Sequence, residues 1–215
     1  MDEKNSFTVV KFILVGDSSV GKSNLLFRFT HGKFREDHHP TIGVDFESRE
    51  IILDNEKYKI QLFDTSGLQN FREIVCSYYE KCACALFVYD INKKESFDNI
   101  IGWISDCKNN NSDAILMVLV GNKCDVQDWR EVTEEEGKEL ADKNGMLFFE
   151  TSAKTGKNVE EVFKQATANI AQKIKEGFYD LEDGSYSCGI KKSEQPSIDI
   201  GRTFSKDGEK SGCCS

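Results

Sequence analysis

Eight consecutive residues, Gly16-Asp17-Ser18-Ser19-Val20-Gly21-Lys22-Ser23, carry the pattern Gly-x-x-x-x-Gly-Lys-Ser. Glycines at both ends let the backbone curl until successive N–H groups point inward at phosphate oxygens. A helix predicted to begin near Gly21 and to run on through Asn24 adds the positive end of its dipole. In that setting Lys22 reaches the outer phosphates. The Ser23 hydroxyl is a ligand for Mg²⁺, which takes oxygen donors and keeps several of them.

A phosphate cradle does not choose between bases. That choice falls to Asn122-Lys123-Cys124-Asp125, which follows the apolar run Ile115–Val120 at the carboxyl end of a predicted strand. A carboxylate at Asp125 accepts two hydrogen bonds, from the ring N–H and the exocyclic amine of guanine. Adenine offers no such donor pair. A site built on a specific hydrogen bond rejects the analogue lacking it by roughly 10⁴–10⁵. Ser152-Ala153-Lys154, further on, back the base with main-chain N–H groups and the packing of Lys154.

Two further loops are placed to sense a terminal phosphate. In Pro40-Thr41-Ile42-Gly43 the Thr41 hydroxyl is a second Mg²⁺ ligand and its N–H faces the γ-phosphate. In Asp64-Thr65-Ser66-Gly67 the Asp64 carboxylate sits near the metal through water, and the Gly67 N–H faces the γ-phosphate. Loss of that phosphate frees both loops, an order–disorder switch. Phe34 has two readings, as a cover for the base edge or as a core residue at a helix end.

These loops need a frame that brings them to one edge. Apolar runs alternate with amphipathic stretches, the signature of an α/β fold. We expect a mostly parallel six-stranded sheet with helices on both faces. Its strands are predicted at Thr8–Val15, Val44–Leu53, Tyr58–Asp64, Ala83–Asp90, Ile115–Val120 and Leu147–Glu150, and its helices begin near Gly21, Phe71, Ser96, Thr133 and Val159. Asp54-Asn55-Glu56-Lys57 is too short for a helical crossover, so the second strand is antiparallel to the third and lies at an edge. Ligands of such sheets sit beyond the carboxyl ends of the strands, where every one of these motifs falls.

The 215 residues fit one domain and a tail. Residues 1–7 read as an extension, 8–175 as the nucleotide-binding domain, and 176–215 as a flexible tail without a core of its own. A net charge of −9 argues against nucleic acid as a partner. No secretory signal opens the chain and no apolar run reaches the roughly 20 residues that span a bilayer. The eight cysteines are therefore expected as thiols in a reducing compartment. Cys82 and Cys84 lie on an apolar run and read as core, whereas Cys213 and Cys214 at the end of the chain need another explanation.

Taken together, the sequence resembles a Ras-superfamily GTPase over about Phe7 to Lys175, and within it the Rab family. Ile42-Gly43-Val44-Asp45-Phe46, Ser77-Tyr78-Tyr79 and Leu86-Phe87-Val88-Tyr89-Asp90 carry the Rab likeness. The run Lys22–Thr30 is similar to the subgroup of recycling endosomes. The resemblance implies a GTP/GDP switch with Mg²⁺, acting as a monomer in vesicle traffic. Its implied partners are effectors, an exchange factor, a Rab-type activating protein, a GDP-dissociation inhibitor and the prenylation machinery. It also implies a place on the cytoplasmic face of endosomal or Golgi-type membranes. Cys213-Cys214 resemble the doubly geranylgeranylated tail of Rabs, and position four from the end is Gly212, which excludes a C-a-a-X box. Two lipids anchor stably where one does not. From Ala171 onward seven basic and eight acidic side chains give little electrostatic help from anionic lipid.

The sequence also departs from that family. Leu68 stands at the catalytic position, where the family has the glutamine that orients the attacking water. Leucine has no donor or acceptor, so slow intrinsic hydrolysis is expected, since phosphoryl transfer depends on positioning and electrostatics. An activating protein that supplies an arginine and a glutamine would bypass the defect. Leu68 as a tolerated surface substitution is the other reading. Phe63 replaces a tryptophan within the effector surface of Ile42, Phe46, Phe63 and Tyr78. Gln69-Asn70 replace a Glu-Arg pair, Ser66 an alanine and Ser19 a frequent glycine. The functions left open are a cycling GTPase and a GTP-locked membrane marker that only recruits effectors. A P-loop kinase or ATPase is opposed by the Asn122–Asp125 run.

Overall fold

Strand β1 (Ser6–Val15) is apolar on both faces, and its alternation sorts two cores. Val10, Phe12 and Leu14 enter one, Ile13 and Val15 the other. Such two-sided burial requires cover on both sides of the sheet. The computed structural model describes residues 6–36, 40–80, 82–110, 115–179, 181 and 188–194. Its other strands are β2 (Val44–Leu53), β3 (Glu56–Thr65), β4 (Cys84–Asp90), β5 (Leu116–Asn122), β6 (Leu147–Glu150) and β7 (Ile190–Glu194). Its α-helices are α1 (Lys22–His31), α2 (Arg72–Tyr79), α3 (Lys94–Asp98), α4 (Ile100–Asn110), α5 (Glu134–Asn144) and α6 (Val159–Lys175).

The sheet runs β2-β3-β1-β4-β5-β6. All pairs along it are parallel except β2 with β3, so the expected antiparallel edge strand is present. One face is covered by α1 and α6 through Leu25, Leu26, Phe29, Val162, Phe163 and Ile170. The other is covered by α2, α4 and α5, with Tyr79, Trp103, Ile104 and Ala141 buried there. Cys82 and Cys84 are buried free thiols, as expected of core residues. Burial pushes the Cys82 thiol up to about 12, which keeps it protonated and unreactive.

Two expectations are corrected. The β2–β3 connection is a two-residue turn rather than a four-residue one. Asp54 and Asn55 both take left-handed φ (50° and 64°), so Glu56 and Lys57 join the strand. Asp and Asn tolerate that region, and a turn of two such residues matches the twist of the flanking strands. The second correction is the tail. Part of it has structure: Ile190–Glu194 add a seventh strand, antiparallel to Ser6–Val10 of β1. Ile190 is buried in the α1/α6 core beside Tyr179, so the tail does supply core residues.

Candidate nucleotide site

Four loops at the carboxyl ends of β1, β3, β5 and β6, together with Phe34, Thr41 and Ile42 ahead of β2, surround a cavity of about 880 Å³, large enough for a nucleotide. The first loop leaves β1 at Gly16, whose φ is +139° and whose missing Cβ would lie 2.1 Å from the Val88 carbonyl oxygen. No other residue fits there. Ser19 takes φ +65°, a conformation glycine enters freely, and remains exposed on the loop. A residue held in that region costs on the order of 1–3 kcal/mol, which the surrounding contacts must offset.

Inside the loop the buried Lys22 ammonium donates to the carbonyls of Gly16 (2.8 Å) and Asp17 (2.7 Å). Burial pulls this amine down to about 8, while Asp64 and Asp17 nearby oppose the shift. Incoming phosphate oxygens are therefore met by a cation already desolvated. Ser23 and Thr41 bring their hydroxyl oxygens to 3.0 Å, and Thr41 donates to Asp64 Oδ2 at 3.2 Å. The other oxygen of Asp64 is buried without a partner, and burial raises this carboxyl above its usual range. Two hydroxyls and one half-satisfied carboxylate make a hard oxygen set that fits Mg²⁺, which completes its shell with phosphates and water. Among the described residues no group of three or more His, Cys, Asp or Glu could hold a metal ion.

The base end is tied together by side chains that line the cavity and also bond to one another's loops. Asn122 donates from Nδ2 to the Val20 carbonyl (2.9 Å), while its Oδ1 accepts from Thr151 Oγ1 (3.2 Å) and Ala153 N–H (3.3 Å). It joins three loops and is buried. Lys123, at φ +67°, lies across the phosphate loop with Nζ on the Ser19 carbonyl (2.8 Å) and on Asp90 (2.6 Å). Asp125 is exposed, and one carboxylate oxygen accepts from Ser152 Oγ at 2.6 Å, which fixes its orientation. Lys154, Ala153 and Phe34 line the same cavity. Phe34 is half-buried: it lines the cavity and also packs on the core beneath, as the helix-end reading expects.

Further supports have no local signal in the sequence. Asp17 turns away from the cavity and accepts from Asn99 Nδ2 (2.7 Å) and Trp103 Nε1 (3.0 Å), which pin the phosphate loop to α4 and its approach. Arg72 of α2 lies 5.0 Å over the same indole and pairs with Asp106 at 2.5 Å. Arg28 of α1 donates to the Ala153 carbonyl (2.8 Å) and to the Lys154 carbonyl, holding the base-side loop from 125 residues away. A pattern search could have flagged only the polar Asn99 beside an apolar helix.

The phosphate-sensing side is looser. Gly67 packs against the phosphate loop so closely that a Cβ would lie 2.3 Å from Ser18 N. The next residue, Leu68, does not line the cavity. It is 41% exposed; its N–H donates to Ser66 Oγ (3.3 Å) and its carbonyl accepts from Phe71 N–H (3.0 Å), so only main-chain atoms of Leu68 are tied down. Ile42, Phe46 and Ile74 are exposed nearby in the chain order of the two loops. Phe46, Phe63 and Tyr78 form a continuous aromatic row with ring centroids 5.5 and 5.4 Å apart. Cys213 and Cys214 lie outside the described residues.

Comparison with known proteins agrees with this geometry. The pattern of the Ras family matches residues 11–172. A Ras-related protein Rab-4 from Dictyostelium discoideum is 44% identical over 205 residues, covering 95% of this chain and 96% of its own length. A Ras-related protein Rab-2B from the same organism is 46% identical over 164 residues, 76% of this chain and 81% of its own.

Proposed function

This chain belongs to the Ras family and to its Rab branch, and from that membership we propose a GTP/GDP switch whose intrinsic off-step is slow. As a Rab-type small GTPase it serves membrane traffic. The finer roles are proposals drawn from the geometry. Lys22 and the N–H groups of the phosphate loop hold the phosphates, and Asp125, oriented by Ser152, selects guanine. Ser23, Thr41 and Asp64 would hold Mg²⁺, which neutralises charge on the β- and γ-phosphate oxygens when bound. Thr41 and Gly67 report the γ-phosphate, so its loss frees their loops and disperses the effector surface of Ile42, Phe46, Phe63 and Tyr78 that adjoins them in sequence.

Leu68 carries the proposal of slow turnover. An in-line water needs a hydrogen-bonding neighbour, and this side chain has none to give. The single-turnover hydrolysis rate of the GTP-loaded chain is the test. Leu68→Gln is expected to be at least tenfold faster than the native protein, and an equal or slower rate overturns the reading. The second reading, a GTP-locked marker acting only through effectors, is favoured by one observation. Leu68 is exposed and does not line the cavity, and Ile42, Phe46 and Ile74 are likewise exposed apolar side chains.

Family membership implies effectors, an exchange factor, an activating protein and a GDP-dissociation inhibitor as partners. We place the protein on the cytoplasmic face of endosomal or Golgi-type membranes, held by lipids on Cys213 and Cys214. Among the described residues no helix is long and apolar enough to cross a membrane. Protein isolated from its own cells should show a mass increased by two isoprenoid groups, and an unmodified mass removes the anchor.

A further inference from the structure

Strand β1 is ten residues long, but its neighbour β4 begins only opposite Phe12. The edge from Ser6 to Val10 would therefore show unpaired N–H and C=O groups, a template for unwanted pairing. In the structure β7 covers it: Val10 faces Ile190, Val9 faces Lys191, Thr8 faces Lys192 and Phe7 faces Ser193. Lys11 is the junction. Its N–H donates to the Gly189 carbonyl (2.9 Å), while its carbonyl accepts from Ala83 N–H (2.8 Å) at the approach to β4. Consecutive left-handed residues, Cys188 (φ 46°) and Gly189 (φ 78°), turn the chain into the strand.

We propose that β7 is a strap that shortens the tether between the nucleotide-binding domain and the terminal cysteines. Without it, the tether starts at Tyr179, a buried residue just after α6, thirty-four residues before Cys213. With it, the tether starts at Glu194, nineteen residues before Cys213. At ~3.4 Å per residue the greatest reach falls from about 115 Å to about 65 Å. Glu194 also lies opposite Ser6, at the end of β1 remote from the phosphate loop.

The strap is releasable. Among its described side chains Ile190 alone is apolar and fully buried, and Lys192 is exposed. Five residues anchored by one buried side chain form a strand that can peel while the six-stranded body stays intact. The consequence at a membrane rests on the lipid reading of Cys213 and Cys214, but the strap does not.

Two readouts on the full-length chain, loaded with a fluorescent GDP analogue, test it without lipid. Antiparallel alternation from the Lys11–Gly189 bond directs the Phe7 and Val9 amides at β7. Those amides and Lys11 should exchange hydrogen at least tenfold faster in Ile190→Asp than in the native chain. Ser193→Pro, which removes a ladder donor and leaves the core untouched, should do the same. With an acceptor dye ligated after Ser215, time-resolved energy transfer from the nucleotide should give a distance distribution that extends to longer distances in both variants than in the native chain. Equal exchange and equal distributions in native and variant chains overturn the strap. An unmodified tail mass, by contrast, overturns only the lipid reading.

Discussion

The base and phosphate side of the nucleotide site is stitched, whereas the γ-phosphate side is nearly bare. On the first, Asn122, Lys123, Arg28, Asp17 and Ser152 tie loops from distant parts of the chain into one rim. On the second, Thr41 touches Ser23 and Asp64, Gly67 packs on the phosphate loop, and the next side chain is an exposed leucine. The difference separates two tasks. A preformed rim binds without ordering cost. Loops that must respond to one phosphate are drawn from the weakly held part of the fold. On the proposed reading, binding and timing reside in different residues, and Leu68 alters the second without touching the first.

Four substitutions would break or sharpen that division. The largest effect is expected from Asp125→Asn, which replaces an acceptor pair with a mixed amide. GTP affinity should fall by roughly 10³-fold or more, read by equilibrium titration. Asn122→Ala is next. It orphans the Val20 carbonyl, the Thr151 hydroxyl and the Ala153 N–H at once, each worth about 1–3 kcal/mol when buried. Nucleotide should dissociate about a hundredfold faster, and the urea midpoint should drop. Leu68→Gln should raise the single-turnover hydrolysis rate at least tenfold while GTP affinity stays within twofold. A matching change in affinity would show that the two sides are not separate. Trp103→Phe should be mildest, losing one hydrogen bond to Asp17 and about 1 kcal/mol of stability, with a few-fold faster nucleotide release.

Much of the site was legible because its parts are local. The phosphate loop is eight residues in a row with a strand before and a helix after. Asn122–Asp125 and Ser152–Lys154 are short runs at strand ends. Their roles were read less well than their positions. Asn122 proved to be a buried joint between loops, since what it bonds to depends on three chain crossings no run reveals. Arg28 reaches Ala153 across 125 residues, and such a contact leaves no periodicity to detect. The fold followed from apolar alternation, down to the antiparallel edge strand. Strand β7 did not, because Ile-Lys-Lys-Ser-Glu has one apolar residue and no alternation. Its cause is the late start of β4, which exists only once the sheet is assembled.

The indole of Trp103 sits between Asp17 of the phosphate loop and Arg72 at the start of α2, and it is buried. The protein has only one other tryptophan, Trp129, which is 75% exposed. A water-soluble quencher therefore silences Trp129 and leaves Trp103 emitting. The chain thus carries its own optical gauge, seated where phosphate occupancy and the position of α2 meet, and loading can be followed in the native protein without a label.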